Sequence, residues 1–321
     1  MPRRIFLTAL IFTFLLIPEP LRSSTNVAGT ITTDTTWDLS GSPFVVDSCS
    51  VSVASGATLT IAPGVVVQFQ LPGSSCGGPG SLFIYGGLTA IGTAAQPITF
   101  TSIRDGAGAA PGDWGSIFFV SGATTSTISH VMLRYGGGIG FGMVQIQSGN
   151  SAPSLVSSTL TNTATGGGAV QVANGSSPTI SGNTFSQNAV GVSISYASPN
   201  LTTNSFSVPS NGTGISAFGG TASITNNTLT TNTTTSTAIS ILADFLGSLS
   251  GNTATGTGLN AVAVQGGTLP ASATWGQLSM PYAVASCSMN VASGATLTIA
   301  PGVVVQFQLP AFGCSPGSLF I

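Results

Sequence analysis

The chain has 321 residues, 42% of them hydrophobic and only 4% charged, with 43 glycines and a formal net charge of −2. Beyond residue 25 there is no Lys and no Glu, and two arginines stand against six aspartates, so no basic patch exists to release counterions from phosphates and nucleic-acid binding is excluded. The apolar content is too high for a disordered low-complexity chain, and the length suits one solenoid or two ordinary domains.

Arg3 and Arg4 precede an uncharged, mostly apolar run over residues 5–17, which Pro18-Glu19-Pro20 ends. That run is too short to span a bilayer comfortably, and the order of charge, apolar run and breaker is that of a secretory signal. We expect a signal peptide over residues 1–25, export to the medium or cell surface, and no membrane span in the mature chain.

The sequence then repeats itself. Residues 53–72, VASGATLTIAPGVVVQFQLP, return unchanged at 291–310, and the same offset of 238 relates Trp37 to Trp275, Cys49 to Cys287 and Cys76 to Cys314. This divides the mature chain into a first module over 26–270 and the truncated start of a second over 271–321. The cysteines of each pair lie 27 apart. In an exported chain an even count at repeated spacing favours disulfides over metal ligation, so Cys49–Cys76 and Cys287–Cys314 are the expected bridges.

Between the repeats, apolar residues alternate with polar ones in short runs. These are Leu59/Ile61, Leu82/Ile84, Ile117/Phe119, Val144/Ile146, Val170/Val172, Val192/Ile194, Ile215/Ala217, Ile239/Ile241 and Val262/Val264. Period two predicts strands with one face buried, and no 3.6-residue apolar stripe lies between them to make helical crossovers. The strands recur every 22 to 27 residues, except for 35 between Leu82 and Ile117. Sandwich strands come about every 8–12 residues and propeller blades about every 40–45, so neither fits. The spacing predicts an all-β parallel β-helix of roughly nine coils, about 40 Å long at one inter-strand step per coil. Residues 27 apart then lie about one coil on, within reach of a disulfide.

A second periodicity lies inside the first. Ile180-Ser-Gly-Asn183, Leu201-Thr-Thr-Asn204, Ile224-Thr-Asn-Asn227 and Leu249-Ser-Gly-Asn252 align one under another. Asn183, Asn204, Asn227 and Asn252 should therefore stack as a structural ladder, each amide donating to one neighbour and accepting from the other.

Residues 53–64 with Trp37, together with Gly86-Gly87-Leu88-Thr89, Pro97-Ile98-Thr99-Phe100, Gly112-Asp113-Trp114 and His130-Val131-Met132-Leu133-Arg134-Tyr135, resemble the exported bacterial right-handed parallel β-helix repeat proteins. The resemblance covers most of the mature chain and implies fold rather than activity, because polysaccharide lyases, hydrolases, adhesins and passive surface proteins share it. For an enzyme of this kind it implies a site on adjacent coils with acidic residues, calcium and a basic group.

The long interval predicts a loop over residues 103–113 carrying Arg104, Asp105 and Asp113, with His130 and Arg134 one coil on. Asp105 and Asp113 are the candidate acids or calcium ligands; Arg134 or His130 is the candidate clamp for a substrate carboxylate, or the base. Against this, the Asp-rich motifs of polygalacturonases and the Arg-x-Pro-x-x-Arg pattern of pectate lyases are absent, and the structural reading of Asp113 with Arg134, as a framework salt bridge or a turn-capping carboxylate, is the stronger one. Trp37 and Trp275 recur with the module and are expected to close its leading edge. The glycine run over 136–142 has no following Lys and is not a phosphate loop. The sequence thus points to a non-catalytic exported β-helix serving as a structural, adhesive or glycan-binding surface module. The alternative is a pectate-lyase-like lyase or glycoside hydrolase with its site near 104–134. Expected partners are polysaccharides or envelope glycans, and further copies of the chain through an open C-terminal coil. Calcium is the one cofactor admitted.

Overall fold

The computed structural model describes residues 23–73, 78–120, 123, 126–147, 152–285, 288–308 and 317–321. They form a parallel β-solenoid of about eleven turns. It exceeds the nine coils read from the alternating pairs because Thr25–Ile31 and Phe44–Val53 open the stack earlier and the repeated strands continue it past residue 270. Thr25 already lies in the first strand, so the ordered solenoid includes the last residue assigned to the signal. Residues 1–22, which make up most of the expected signal, lie outside the described residues.

Each coil contributes a strand to each of three faces. The first face runs from residues 25–27 and 44–46 through Val66–Phe69, Ile98–Ser102 and Val131–Arg134 to Thr253–Gly256. The second runs from 29–31 and 51–53 through Leu82–Ile84, Ile117–Phe119 and Val144–Gln147 to Leu259–Val264. The third runs from Thr35–Trp37 and Thr58–Ile61 to Ser248–Ser250. Alternation sets the interior. On the third face Trp37, Ile61, Ala90, Ile128, Leu155, Ile180, Leu201 and Ile224 sit in register and are buried, so like stacks on like at each inter-strand step. Phe185 and Phe206 stack in the same way on the first face, ring centroids 4.6 Å apart.

The corners between faces use the left-handed backbone region. After each third-face strand from Thr127–Ser129 onward comes one such residue: His130, Ser157, Gly182, Thr203, Asn226 and Gly251. The asparagine column follows at the next position. Asn183 Nδ2 donates to Asn204 Oδ1 at 3.0 Å, Asn204 Nδ2 to Asn227 Oδ1 at 3.0 Å and Asn227 Nδ2 to Asn252 Oδ1 at 2.9 Å. The backbone N–H of each of the first three also donates to the carboxamide of the next. Ser158 holds the equivalent place one coil earlier, donating through its N–H to Asn183 Oδ1 and accepting from Val131 N. Burial demands that these polar groups find partners, and the coil spacing supplies them.

The repeat does not restart on the face where it began. Tyr282–Val284 matches residues 44–46 at the offset of 238, and 44–46 lie on the first face, yet Tyr282–Val284 pairs with Leu259–Val264 on the second. The second module is therefore rotated by one face. Its opening strand Gly267–Leu269 matches residues 29–31, a few residues ahead of the boundary expected at 270/271. Among the described residues no further strand pairs with Ser248–Ser250 or Thr253–Gly256, so two of the three ladders stop at this junction and only the second face continues, through Val305–Phe307. Trp275 stacks on Tyr282 at 4.6 Å as Trp37 stacks on Phe44 at 4.8 Å, so both tryptophans open their modules from inside.

Cys49 lies on Phe44–Val53, while Cys76, Cys287 and Cys314 fall outside the described residues. Both disulfide pairings therefore remain proposals.

Candidate functional site

The 35-residue interval owes its extra length to a loop between the first-face strand Ile98–Ser102 and the second-face strand Ile117–Phe119. Trp114 fixes it. The indole is fully buried, stacks on Phe69 with centroids 4.4 Å apart, and donates from Nε1 to the carbonyl of Arg134 at 2.8 Å. Gly112, at φ +89°, lets the chain turn where its N–H reaches the carbonyl of Tyr135 at 3.0 Å, and Gly115 N–H reaches that of Gly80 at 2.8 Å. One large side chain and flanking glycines thus tie the loop to the coils before and after it.

Inside the loop the charges pair in a crossed pattern. Arg104 Nη2 donates to Asp113 Oδ1 at 2.8 Å, and Arg134 pairs with Asp105. The Asp113–Arg134 bridge anticipated from the sequence is not formed. Asp113 is buried and also accepts from Ser102 Oγ at 2.6 Å and from Ala110 N–H at 3.1 Å, while Asp105 accepts from Thr101 Oγ1 at 2.8 Å. The reason is local. Three donors from residues 102–110 converge on Asp113, and Arg134, extending from the end of the adjacent first-face strand, meets Thr101 and the nearer Asp105 instead. The side chain of Arg104 remains 46% exposed and that of Arg134 33%.

His130 does not join this cluster. It occupies the left-handed corner at the far end of Val131–Arg134, four residues or roughly 13 Å of strand from Arg134, with Nδ1 2.9 Å from Ser129 Oγ. A calcium site does not fit either. Each carboxylate already faces a guanidinium, and among the described residues no group of three or more His, Cys, Asp or Glu could hold a metal.

Sequence reasoning missed a second feature, on the outer surface of the second face. Phe83 and Phe118 are cross-strand neighbours with ring centroids 5.6 Å apart, and Phe141 meets Phe118 edge-on at 6.2 Å. Next in register is Gln145, fully buried; its Oε1 accepts from Gly142 N–H at 3.2 Å, and its Nε2 has no partner among the described residues. The signal was present in the sequence: Leu82-Phe83-Ile84 and Ile117-Phe118-Phe119 place an aromatic ring at the outward position of an alternating strand.

Residues 116–272 match the family model described as a right handed beta helix region. No curated protein and no solved structure matches the chain.

Proposed function

From the premise that residues 116–272 are a right-handed β-helix region, we propose that this chain is a non-catalytic, exported solenoid module that serves as a spacer on the cell surface and binds glycans on the outer side of its second face. The observation that carries the reading is the commitment of both candidate acids. A glycosidase needs one carboxyl free to donate a proton and a second free to attack or to activate water. Asp113 accepts from Arg104, Ser102 and Ala110, and Asp105 from Arg134 and Thr101, so both act as fasteners of the loop. The aromatic row supports the binding half of the proposal: Phe83, Phe118 and Phe141 offer apolar faces for the C–H surfaces of sugar rings.

The partly exposed side chains of Arg104 and Arg134 favour a second reading, a lyase whose cations clamp a uronate carboxylate. Incubation with acidic and neutral polysaccharides, with and without calcium, distinguishes the two. We expect no depolymerisation, and glycan binding that falls at least tenfold in Phe118→Ala. Turnover abolished by Asp105→Ala or Asp113→Ala in folded protein would establish the lyase or hydrolase. Binding unchanged in Phe118→Ala would remove the aromatic row as the site.

A further inference from the structure

The one-face rotation of the second module leaves a space. Where the third-face ladder stops at Ser248–Ser250 there is a cavity of about 440 Å³ between the last coil of the first module and the opening strands of the second. Phe245 and Leu249 line it on one side and Leu269, Trp275, Tyr282 and Met289 on the other. Lower in the column Ile180, Leu201 and Ile224 are each covered in register by the next coil. Leu249 comes next in that column, has no such cover, and is only half-buried. The packing that covers Ile180, Leu201 and Ile224 is missing at this level.

We infer that this junction cavity is a binding site for a small, uncharged, apolar molecule. Among the described residues its lining includes no Asp, Glu, Lys, Arg or His. A charged ligand would lose its hydration and gain no ion pair in return. The polar side-chain groups are all neutral, the hydroxyls of Ser248, Ser272, Thr274 and Tyr282 and the indole N–H of Trp275, and the Ser272 Oγ already accepts from Thr296 N–H at 3.0 Å. Such a set can orient one polar end of a ligand and hold no more. The Trp275–Tyr282 stack, with planes 4° apart, offers a rigid aromatic wall, and Met289 supplies an adaptable one. The volume lies within the range of ligand sites, and scaling from the ~150 Å³ cavity that takes up benzene gives room for about eighteen carbons. A fused or linked pair of aromatic rings, or a medium-length acyl chain with a neutral head, meets these requirements. The site depends on the module junction and not on the glycan-binding reading, since its residues are all distant in sequence from Phe83, Phe118 and Phe141.

The test uses the full chain and N-phenyl-naphthylamine, an uncharged aromatic probe whose fluorescence rises on leaving water. We expect saturable one-to-one uptake with energy transfer from Trp275. Transfer should be lost in Trp275→Phe while uptake persists. Ala273→Phe and Leu249→Trp, which place bulk in the cavity, should weaken uptake at least tenfold with an unchanged circular dichroism spectrum. A sulfonated analogue of the probe should bind at least tenfold more weakly than the neutral compound. Absence of saturable uptake, full transfer in Trp275→Phe, native affinity in both folded filling variants, or equal affinity for the sulfonated analogue would each overturn the proposal. So would a dimer in sedimentation that excludes the probe, because the occupant would then be a second copy of the chain.

Discussion

Asn204→Ala is the sharpest probe of what holds the coils in register. The substitution removes a side chain that donates to the carbonyl of Ile180 at 2.9 Å and to Asn227 Oδ1 at 3.0 Å, and that accepts from both the N–H and the carboxamide of Asn183 at 3.0 Å. Asn183 Nδ2 keeps its bond to Leu155 O, and Asn227 Oδ1 keeps the N–H of residue 204. One main-chain group is left without a partner, the N–H of Asn183, at a fully buried residue, while the carbonyl of Ile180 keeps its ladder bond to the strand Asn200–Thr202. At about 1–3 kcal/mol for the orphaned N–H and about 0.5–1.5 kcal/mol for each of the two bonds donated by the Asn204 amide, the expected loss is about 2–6 kcal/mol. Asn204→Ser should recover about half of it, since Ser158 shows that a hydroxyl at this register accepts from the preceding coil. Asn204→Asp should be worse than Ser at neutral pH, because a carboxylate cannot donate to Ile180 O. Denaturant melts followed by tryptophan fluorescence give the global value, and hydrogen exchange of a peptide spanning residues 179–186 gives the local one. A loss below about 0.5 kcal/mol in Asn204→Ala, with the amide of Asn183 still protected, would refute the ladder as a source of stability.

The two acidic residues of the loop should differ. Asp113→Ala strips Ser102, Arg104 and Ala110 of a shared, buried acceptor and should cost about 2–4 kcal/mol, whereas Asp105→Ala, at a more exposed carboxylate with fewer donors, should cost about 1 kcal/mol in the same thermal melt. Equal losses would contradict the crossed pairing. Burial pushes the Tyr282 phenol up to about 12. The folded chain therefore keeps its proton while the unfolded chain loses it above the ordinary value near 10, so stability should fall between about pH 10 and 12 by at most about 2.7 kcal/mol. Tyr282→Phe should flatten that decline in alkaline denaturation; an unchanged profile would assign the loss to other groups.

How much of this was legible in the sequence depended on whether a feature was periodic. Strand spacing, the asparagine column and the long loop all register as intervals along the chain, and Asn183 to Asn252 needed nothing beyond alignment. The ion pairs did not, because which Arg reaches which Asp depends on the path of the loop over the corner, and Arg104 and Arg134 are equivalent as letters. His130 looked chemical as the sole histidine. Its place becomes plain only when it is aligned with Ser157, Gly182, Thr203, Asn226 and Gly251, positions whose common property is a left-handed backbone and not a side chain. The rotation at the junction was hidden for a different reason. All three faces carry the same alternation of apolar and polar residues, so an exact repeat such as 291–310 says that a module has restarted but not on which side of the rod.

The identical repeat also serves as an internal control. Ile61 and Phe69 are buried in the first module, while their counterparts Ile299 and Phe307 are 43% and 53% exposed in the second. The same letters are core or surface according to whether a coil lies above them. The one-face offset extends this to the display of function. A structure with three faces returns to its starting orientation only after three such offsets, so modules joined in this way would present their loops and aromatic rows in turn around the axis, like steps on a spiral stair. A tandem array of this sequence would be a fibre that looks the same from every side, able to meet a ligand surface without first being turned toward it.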